Sequence, residues 1–564
     1  MFTMPWFQLF LCAVLHAPVL SQTDATYQLT PGIPETVPIP TTGVVNFEAT
    51  DVSATSRFLV MQVHAQHASL ILRDTSSASG DSITGNSMGM VRKVNGSADG
   101  ARWSVAVSAG AAENVTTMVT LQEYGANAPV PGGCNQVFAL EVDPNIRLTT
   151  ADHRSQVWFQ WASEGGRPAS CEDAALTSRL NYDVYVKYVS SNDDSVEGLL
   201  GVVQDMMTAD KIQSQAQKIL SVKNDGTQKS LTTVTSQRAQ GAVYGVVVTD
   251  DKRGLTAAYV PAITYGCNYT AGECSLEYGA TEWVMIVASG VVGLFLLILG
   301  HAFLKTELAL FGFISTTLVS FILLTMAGTV ADGACLAIAA AIGLVGAGLW
   351  LFVWWMFSFP SVSVLLPGLC AGFLVSGVLF FTPFANISWW ASDVNYGLVF
   401  ACIALFFAVL LLFSPRTLNI VSCSLVGGYC VVMVAGILLR SSLRMIVLNV
   451  VHHASVAGYA TVLVITPFQA QDIILGCAWA LLLVLGICWQ FYRSKGEPHF
   501  PNQRQQRSHP VGNRPHVRDG TIPPLPVVDE RSPLLGNQTP PPLYQEAVRN
   551  NGQRQRPSEM NPPM

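Results

Sequence analysis

The chain has 564 residues, of which 50% are apolar and only 12% charged, with a mean hydropathy of +0.37 and a net charge of −6. Soluble proteins carry about 25% charged residues, so this composition argues against a cytosolic globular enzyme and against a nucleic-acid-binding protein. The charge is unevenly spread: residues 22–282 hold 17 Lys/Arg and 27 Asp/Glu, residues 283–492 hold four of each, and residues 493–564 hold ten and six.

The N-terminus reads as a secretory signal over residues 1–21. Trp6 to Val14 form an apolar core, without a positive n-region, and Val19-Leu20-Ser21 supplies tolerated residues of a cleavage site before Gln22. His16 and Pro18 interrupt the run, which is too short for an anchor. Cys12 leaves with the signal.

Residues 22–282 have the pattern of a secreted β-rich region. Runs at 58–66, 69–73, 103–108, 115–123, 137–142, 157–162 and 182–189 are rich in Val, Phe, Tyr and Thr, and Gly, Pro, Asn and Ser punctuate them. That spacing predicts β-sandwich architecture, and the length suits two units, 22–145 and 146–282, with a boundary near Pro144-Asn145. One helix is expected over 194–208. Asp194 with Glu197 gives it a capping pattern, and Leu199, Leu200, Val203, Met206 and Met207 form one face for packing on a sheet.

Four cysteines lie in this region: Cys134, Cys171, Cys267 and Cys274. An even number in an oxidising compartment predicts disulfides, and three pairings are open. Cys267 with Cys274 would close a hairpin-sized loop, leaving Cys134 with Cys171. The spacing does not suit zinc. Asn95, Asn114 and Asn268 begin glycosylation acceptors here, and Asn386 begins another in a loop expected to be lumenal.

Seven segments then meet the ~20-residue requirement for crossing a bilayer: 283–304, 307–328, 333–357, 361–383, 396–413, 417–439 and 472–492. Linkers such as Lys305-Thr306 and Ser414-Pro415-Arg416 force antiparallel neighbours. Residues 445–466 are apolar but interrupted by Asn449, His452 and His453. They read as an amphipathic or re-entrant lumenal piece, with an eighth span as the alternative. Lys305, Arg416 and the Arg-rich tail then fall on the cytosolic side, as the positive-inside rule prefers, while Arg440 and Arg444 go against it.

The bundle offers little for chemistry. Its charges (Lys305, Glu307, Asp332, Asp393, Arg416, Arg440, Arg444 and Asp472) all fall at span ends or in loops. Glu307 and Asp472 lie just inside their spans, where interfacial solvation is the expected state. A channel or transporter would need Glu307, Asp472, His301 or Asn449 to converge on one path. His64 and His67 resemble a ligand pair, but an offset of three on a strand sends them to opposite faces. No metal site, cofactor or nucleophile motif is expected, and the loops are too short for a G-protein-coupled receptor. Gly368 and Gly372, with Gly343, Ala347 and Gly348, give smooth faces for helix packing.

Residues 493–564 contain 14 of the 30 prolines and are expected to be disordered and cytosolic. Glu530, Leu534 and Leu535 fit the acidic dileucine pattern that clathrin adaptors read, with Ser532 inside it. Pro541, Pro542 and Tyr544 form a PPxY ligand for WW domains, such as those of ubiquitin ligases.

Several stretches resemble the transmembrane 7 superfamily member 3 family: 129–135 (PVPGGCN), 143–146 (DPNI), 182–185 (YDVY), 259–267 (YVPAITYGC), 300–311 (GHAFLKTELALF), 380–383 (FFTP) and 530–535 (ERSPLL). The resemblance spans roughly 25–535. It implies a signal peptide, a glycosylated β-rich ectodomain, a seven-span domain with no assigned reaction, and roles in cell survival and the unfolded-protein response. The expected molecule is a multi-domain membrane protein with a β-sandwich-rich lumenal ectodomain, an all-α seven-helix bundle and a disordered tail. It is expected to be non-enzymatic, without cofactor or nucleic acid, in the plasma or endolysosomal membrane. Its expected partners are the bilayer, clathrin adaptors, WW-domain ligases and an unknown lumenal or extracellular protein.

Overall fold

Chain alternation in the N-terminal region resolves into two stacked β domains. A computed structural model describes residues 26–495 except 77–80, 95–100, 109–113, 135–136, 138–143, 152, 165–170, 172–177, 225–228, 268–273, 275–277, 329–331 and 358. The signal segment, Asn95, Asn268 and the tail motifs lie outside the described residues, as does most of the strand expected at 137–142.

The first domain contains β1 (Thr26–Leu29), β2 (Glu35–Ile39), β3 (Val44–Ala49), β4 (Ser56–Ala65), β5 (Leu70–Asp74), β6 (Ser82–Gly85), β7 (Ser87–Lys93), β8 (Arg102–Val107) and β9 (Val115–Gly125). Sheets ordered β1-β3-β8-β5-β6 and β2-β9-β4-β7 face each other across Phe47, Trp103, Leu72, Leu59, Met61 and Val119. Strand β4 is buried on both faces. Leu59, Met61 and Val63 enter the sandwich core, while Phe58 and Val60 pack with Val130 and Val260 of the second domain. This double burial explains why 58–66 reads as a continuous apolar run.

The second domain contains β10 (Pro129–Cys134), β11 (Arg147–Ala151), β12 (Arg154–Trp158), β13 (Trp161–Glu164), β14 (Leu180–Tyr188), β15 (Gln217–Lys223), β16 (Leu231–Thr235), β17 (Ala242–Asp250), β18 (Leu255–Ala258) and β19 (Ala262–Thr264). Its largest sheet runs β15-β14-β17-β18, with β19 also on β17, and a second runs β11-β12-β16. Strand β10 precedes Pro144 yet pairs with β13, so this domain draws on chain before the expected boundary. The other face of β14 and β17 is covered by helices α1 (Val196–Asp205) and α2 (Ala209–Gln215) through Leu199, Val203, Met206 and Ile212. The helix expected at 194–208 is α1, and a second helix, α2, follows beyond that range. The cap of α1 is Ser195, whose side chain accepts from Gly198 N, rather than Asp194. Disulfides join Cys134 to Cys171 and Cys267 to Cys274.

Among the described residues, seven helices are long and apolar enough to cross a membrane. They are α3 (Ala280–Leu299), α4 (Leu304–Ala327), α5 (Asp332–Phe357), α6 (Pro360–Phe381), α7 (Asp393–Leu412), α8 (Pro415–Leu438) and α10 (Ala470–Arg493). The turn between α3 and α4 is made by Gly300–Ala302, so Lys305 and Thr306 sit inside α4 rather than in a linker. Residues 445–466 contain α9 (Met445–Ser455), 11 residues long. At 1.5 Å per residue that is about 16 Å, too short for a crossing.

Helix α8 is the axis of the bundle. It is 61% buried, against 17% for α5, α7 and α10, and packs on α3, α6 and α10. Lipid gives no hydrophobic drive for helix association, so close backbone approach supplies the attraction. A Cβ on Gly293 would stand 2.8 Å from Gly427 O, and one on Gly427 would stand 2.7 Å from Gly293 O. Gly372 meets Ala404 O in the same way, so these small residues serve contacts within the bundle. Gly427→Val should therefore lower the thermal stability of the purified protein by ~3 kcal/mol or more. Gly397→Val, at a position with open space around it, should leave the melting curve unchanged.

Candidate functional site

The most elaborate polar construction in the molecule is the seam where the second β domain meets the bundle. After α9, Gly458 takes a left-handed turn (φ 72°) and residues 462–469 lead to α10 outside any helix, with a tight turn where Phe468 N donates to Thr466 O at 2.9 Å. Leu463 N donates to Thr233 O at 2.9 Å, and Thr235 N donates to Leu463 O at 3.0 Å. The bundle thus forms an isolated parallel bridge with β16, the edge of its sheet. Thr235 extends the pairing with its side chain: Oγ1 donates to Ile465 O at 2.7 Å and accepts from Ile465 N at 3.0 Å. From the bundle side, Asn386 Nδ2 donates to Val464 O at 3.0 Å while its Oδ1 accepts from Val464 N at 2.7 Å. The acceptor triplet at Asn386 therefore has a structural task, and its amide nitrogen is already engaged.

Gln469 and Asp472 complete the seam. Gln469 Oε1 accepts from Ser191 N at 3.0 Å, and its Nε2 donates to Val189 O at 3.1 Å. Asp472 accepts from Ser441 Oγ at 2.6 Å, Ser442 N at 2.7 Å and Gln469 N at 2.8 Å. With 1% of its surface exposed, Asp472 is buried rather than interfacially solvated. Three donors compensate its desolvation, and its place in the first turn of α10 suits the helix dipole.

The same end explains the two arginines that defied the charge rule. Arg440 pairs with Asp194 at 2.8 Å and reaches Ser191 O at 3.3 Å; Arg444 reaches Tyr278 Oη at 3.4 Å. Arg440 contacts the β domain, and Arg444 contacts the segment that leads into α3. His452 stacks on His153 of the β11–β12 turn, with ring centroids 4.3 Å apart, and His453 stacks on Tyr396. His153, Arg238, Tyr278, Glu282, Arg444 and His452 line a cavity of about 220 Å³. Burial, together with His153 and His453 alongside, lowers His452 to about 3, and burial lowers His453 to about 4. A larger open groove of about 980 Å³ lies between β15 and the ends of α6 and α10.

The polar residues considered for a transport path separate into two groups. Asp472 and buried Asn449 lie at the β-domain end. Glu307 and His301 lie at the far end, where Gln490 Nε2 donates to Leu296 O and Leu297 O at 3.0 and 2.8 Å. Glu307 is fully buried, not at the lipid surface, and accepts from Asn419 Nδ2 at 2.9 Å. Its place in the first turn of α4 faces it toward α8, which sequence position alone did not reveal. The four residues do not converge. His64 bonds Ser87 Oγ at 2.8 Å, and His67 packs on Tyr265; no group of three or more metal-ligating side chains occurs among the described residues. Asn114 is exposed before β9.

Three family models match consecutive parts of the chain. Residues 25–124 match the TM7SF3-like N-terminal immunoglobulin-like domain, 129–270 the TM7SF3-like second immunoglobulin-like domain, and 285–491 the TM7S3/TM198-like domain. Transmembrane 7 superfamily member 3 of Homo sapiens is 33% identical over 479 residues, covering 82% of this chain and 83% of the relative. The chain belongs to the transmembrane 7 superfamily member 3 family. The Mus musculus relative is 31% identical over 477 residues, covering 82% and 84%. In family terms, the seam joins the second immunoglobulin-like domain to the TM7S3/TM198-like domain, and α9 and residues 462–469 fall within the latter match.

Two predictions follow from the seam's electrostatics. A neutral His452 in the docked state means docking is strongest above the free value of 6.5 and weakens as pH falls toward 3. The protection factors of the Leu463 and Ile465 amides, which remove the intrinsic pH dependence of exchange, should therefore fall by roughly tenfold or more between about pH 7 and 5, and His452→Phe should reduce that dependence. Arg440→Ala should raise the same exchange only slightly, by less than about 1 kcal/mol, because Asp194 is 66% exposed.

Proposed function

We propose that the chain is a non-enzymatic membrane glycoprotein whose immunoglobulin-like ectodomain binds a lumenal or extracellular partner. The seam passes the resulting strain to the bundle. The observation that carries this reading is the β-bridge at Leu463, reinforced by Thr235, Asn386 and Gln469. An ectodomain on a plain tether would need no such attachment. Glycans are assigned to Asn95, Asn114 and Asn268, with Asn386 left bare because its side chain clamps Val464. The N-terminus is taken as lumenal and the tail as cytosolic, in the plasma or endolysosomal membrane.

The tail supplies sorting. Glu530, Leu534 and Leu535 would engage clathrin adaptors, and Pro541, Pro542 and Tyr544 the WW domains of ubiquitin ligases. The cellular outcome is taken to be protection during unfolded-protein stress. In cells under that stress, Arg440→Ala/Gln469→Ala should reach the surface normally yet lose protection; retained protection would overturn the coupling. Leu534→Ala/Leu535→Ala should raise the surface level severalfold, and Tyr544→Ala should lengthen the protein's half-life. Unchanged surface level and turnover in both tail variants would remove the sorting reading.

A further inference from the structure

We propose that the groove between β15 and the ends of α6 and α10 binds a glycerophospholipid drawn from the adjoining leaflet. Its phosphate would lie at Lys218 and the upper part of its acyl chains between Phe381 and Phe468. This goes beyond the partner-binding reading and does not depend on it.

The first support is the level of the groove. At this end of the bundle, exposed aromatic side chains stand at the start of α3 (Trp283), in the α6–α7 connection (Phe384 and Trp389) and before α10 (Phe468). Aromatic residues gather where hydrocarbon meets headgroups, so this ring marks the bilayer surface. Phe381, Pro383 and Phe468 form part of the groove wall. The groove therefore opens at the depth of the headgroup boundary, and lipid enters it without crossing water.

The second support is its two-sided chemistry. The wall on the bundle side is mostly apolar, with Phe381, Pro383, Pro467 and Phe468 interspersed with Thr382 and Thr466. The wall on the ectodomain side carries Lys187, Gln217 and Lys218. Lys187 is held by Asp205 at 2.6 Å and Gln215 at 3.0 Å. Lys218 pairs with Asp183 at 2.8 Å, but its side chain is 47% exposed. Such a pair contributes little, so the ammonium can turn to a phosphate at small cost. An apolar wall below and a cation above match an amphiphile lying head-up in the leaflet. The volume, about 980 Å³, accommodates a glycerol backbone with the first part of its chains. A water-filled groove would leave this apolar wall hydrated, which lipid avoids.

The test uses the full chain in nanodiscs of phosphatidylcholine doped with a phosphatidylcholine carrying a diazirine high on one acyl chain. Photolabelling mapped by mass spectrometry should favour residues 381–387 and 464–470 over the lipid-facing positions Leu344 and Val345 by about fivefold. Gln217→Trp, which fills the groove from an exposed position, and Lys218→Glu, which repels the phosphate, should each erase the excess. Labelling at Leu344 and Val345, and the melting temperature, should not change. Groove labelling no higher than at Leu344 and Val345 would overturn the proposal. So would an excess that survives both variants, because the label would then report ordinary lipid contact.

Discussion

Backbone satisfaction at the seam is the constraint on which the arrangement of this molecule depends. A segment leaving a membrane helix must find partners for its N–H and C=O groups, since leaving them buried and unpaired costs as much as a lost hydrogen bond. Residues 463–465 find theirs on two sides. Thr233 and Thr235 of the ectodomain serve Leu463 and Ile465, and Asn386 of the bundle serves Val464. Each domain therefore completes the other. The sheet edge at β16, which would otherwise invite pairing with a foreign strand, is partly covered by the chain's own membrane domain.

The bundle follows a related logic in a drier setting. Its central helix carries Asn419, Ser422 and Ser424, all buried, and the glycines that bring α3 within backbone contact. Glu307 and Gln490 reach that helix from α4 and α10. Polar side chains in a bilayer have few alternatives to one another, so they fix which helices are neighbours. Here they do so near the end remote from the ectodomain, while Asp472 does so beside it. The two ends are pinned by different chemistry: a sparse carboxyl–amide contact at one, and a carboxylate saturated with donors at the other.

Much of this was legible in the residues. Length and apolarity placed all seven spans to within a few residues, because a bilayer imposes one length on every crossing. The packing of Leu199, Leu200 and Val203 followed from helical spacing, while Met206 and Met207 are buried from the turn just beyond the helix. What escaped was non-local. The pairing of Val234 with Leu463 joins residues more than two hundred positions apart, and no local pattern encodes it. Its visible trace was Arg440, a cation that pairs with Asp194 of the β domain. Asp472 and Glu307 were misread for one reason: position near a span end does not reveal which way a side chain turns. Ser195 displaced Asp194 as cap because Asp194 is engaged by Arg440.

The seam also sets an order of events during synthesis. Thr235 is translated 230 residues before Ile465, its hydrogen-bond partner. At ordinary elongation rates, about 5–20 residues per second, the β11-β12-β16 sheet waits ten seconds or more with its edge open. It closes only after six helices have entered the bilayer and the seventh is being made. A chain cut short between β16 and α10 would lack Ile465, part of the second domain's core, and leave the β16 edge open. Closure of that edge is therefore tied to the making of the last membrane helix.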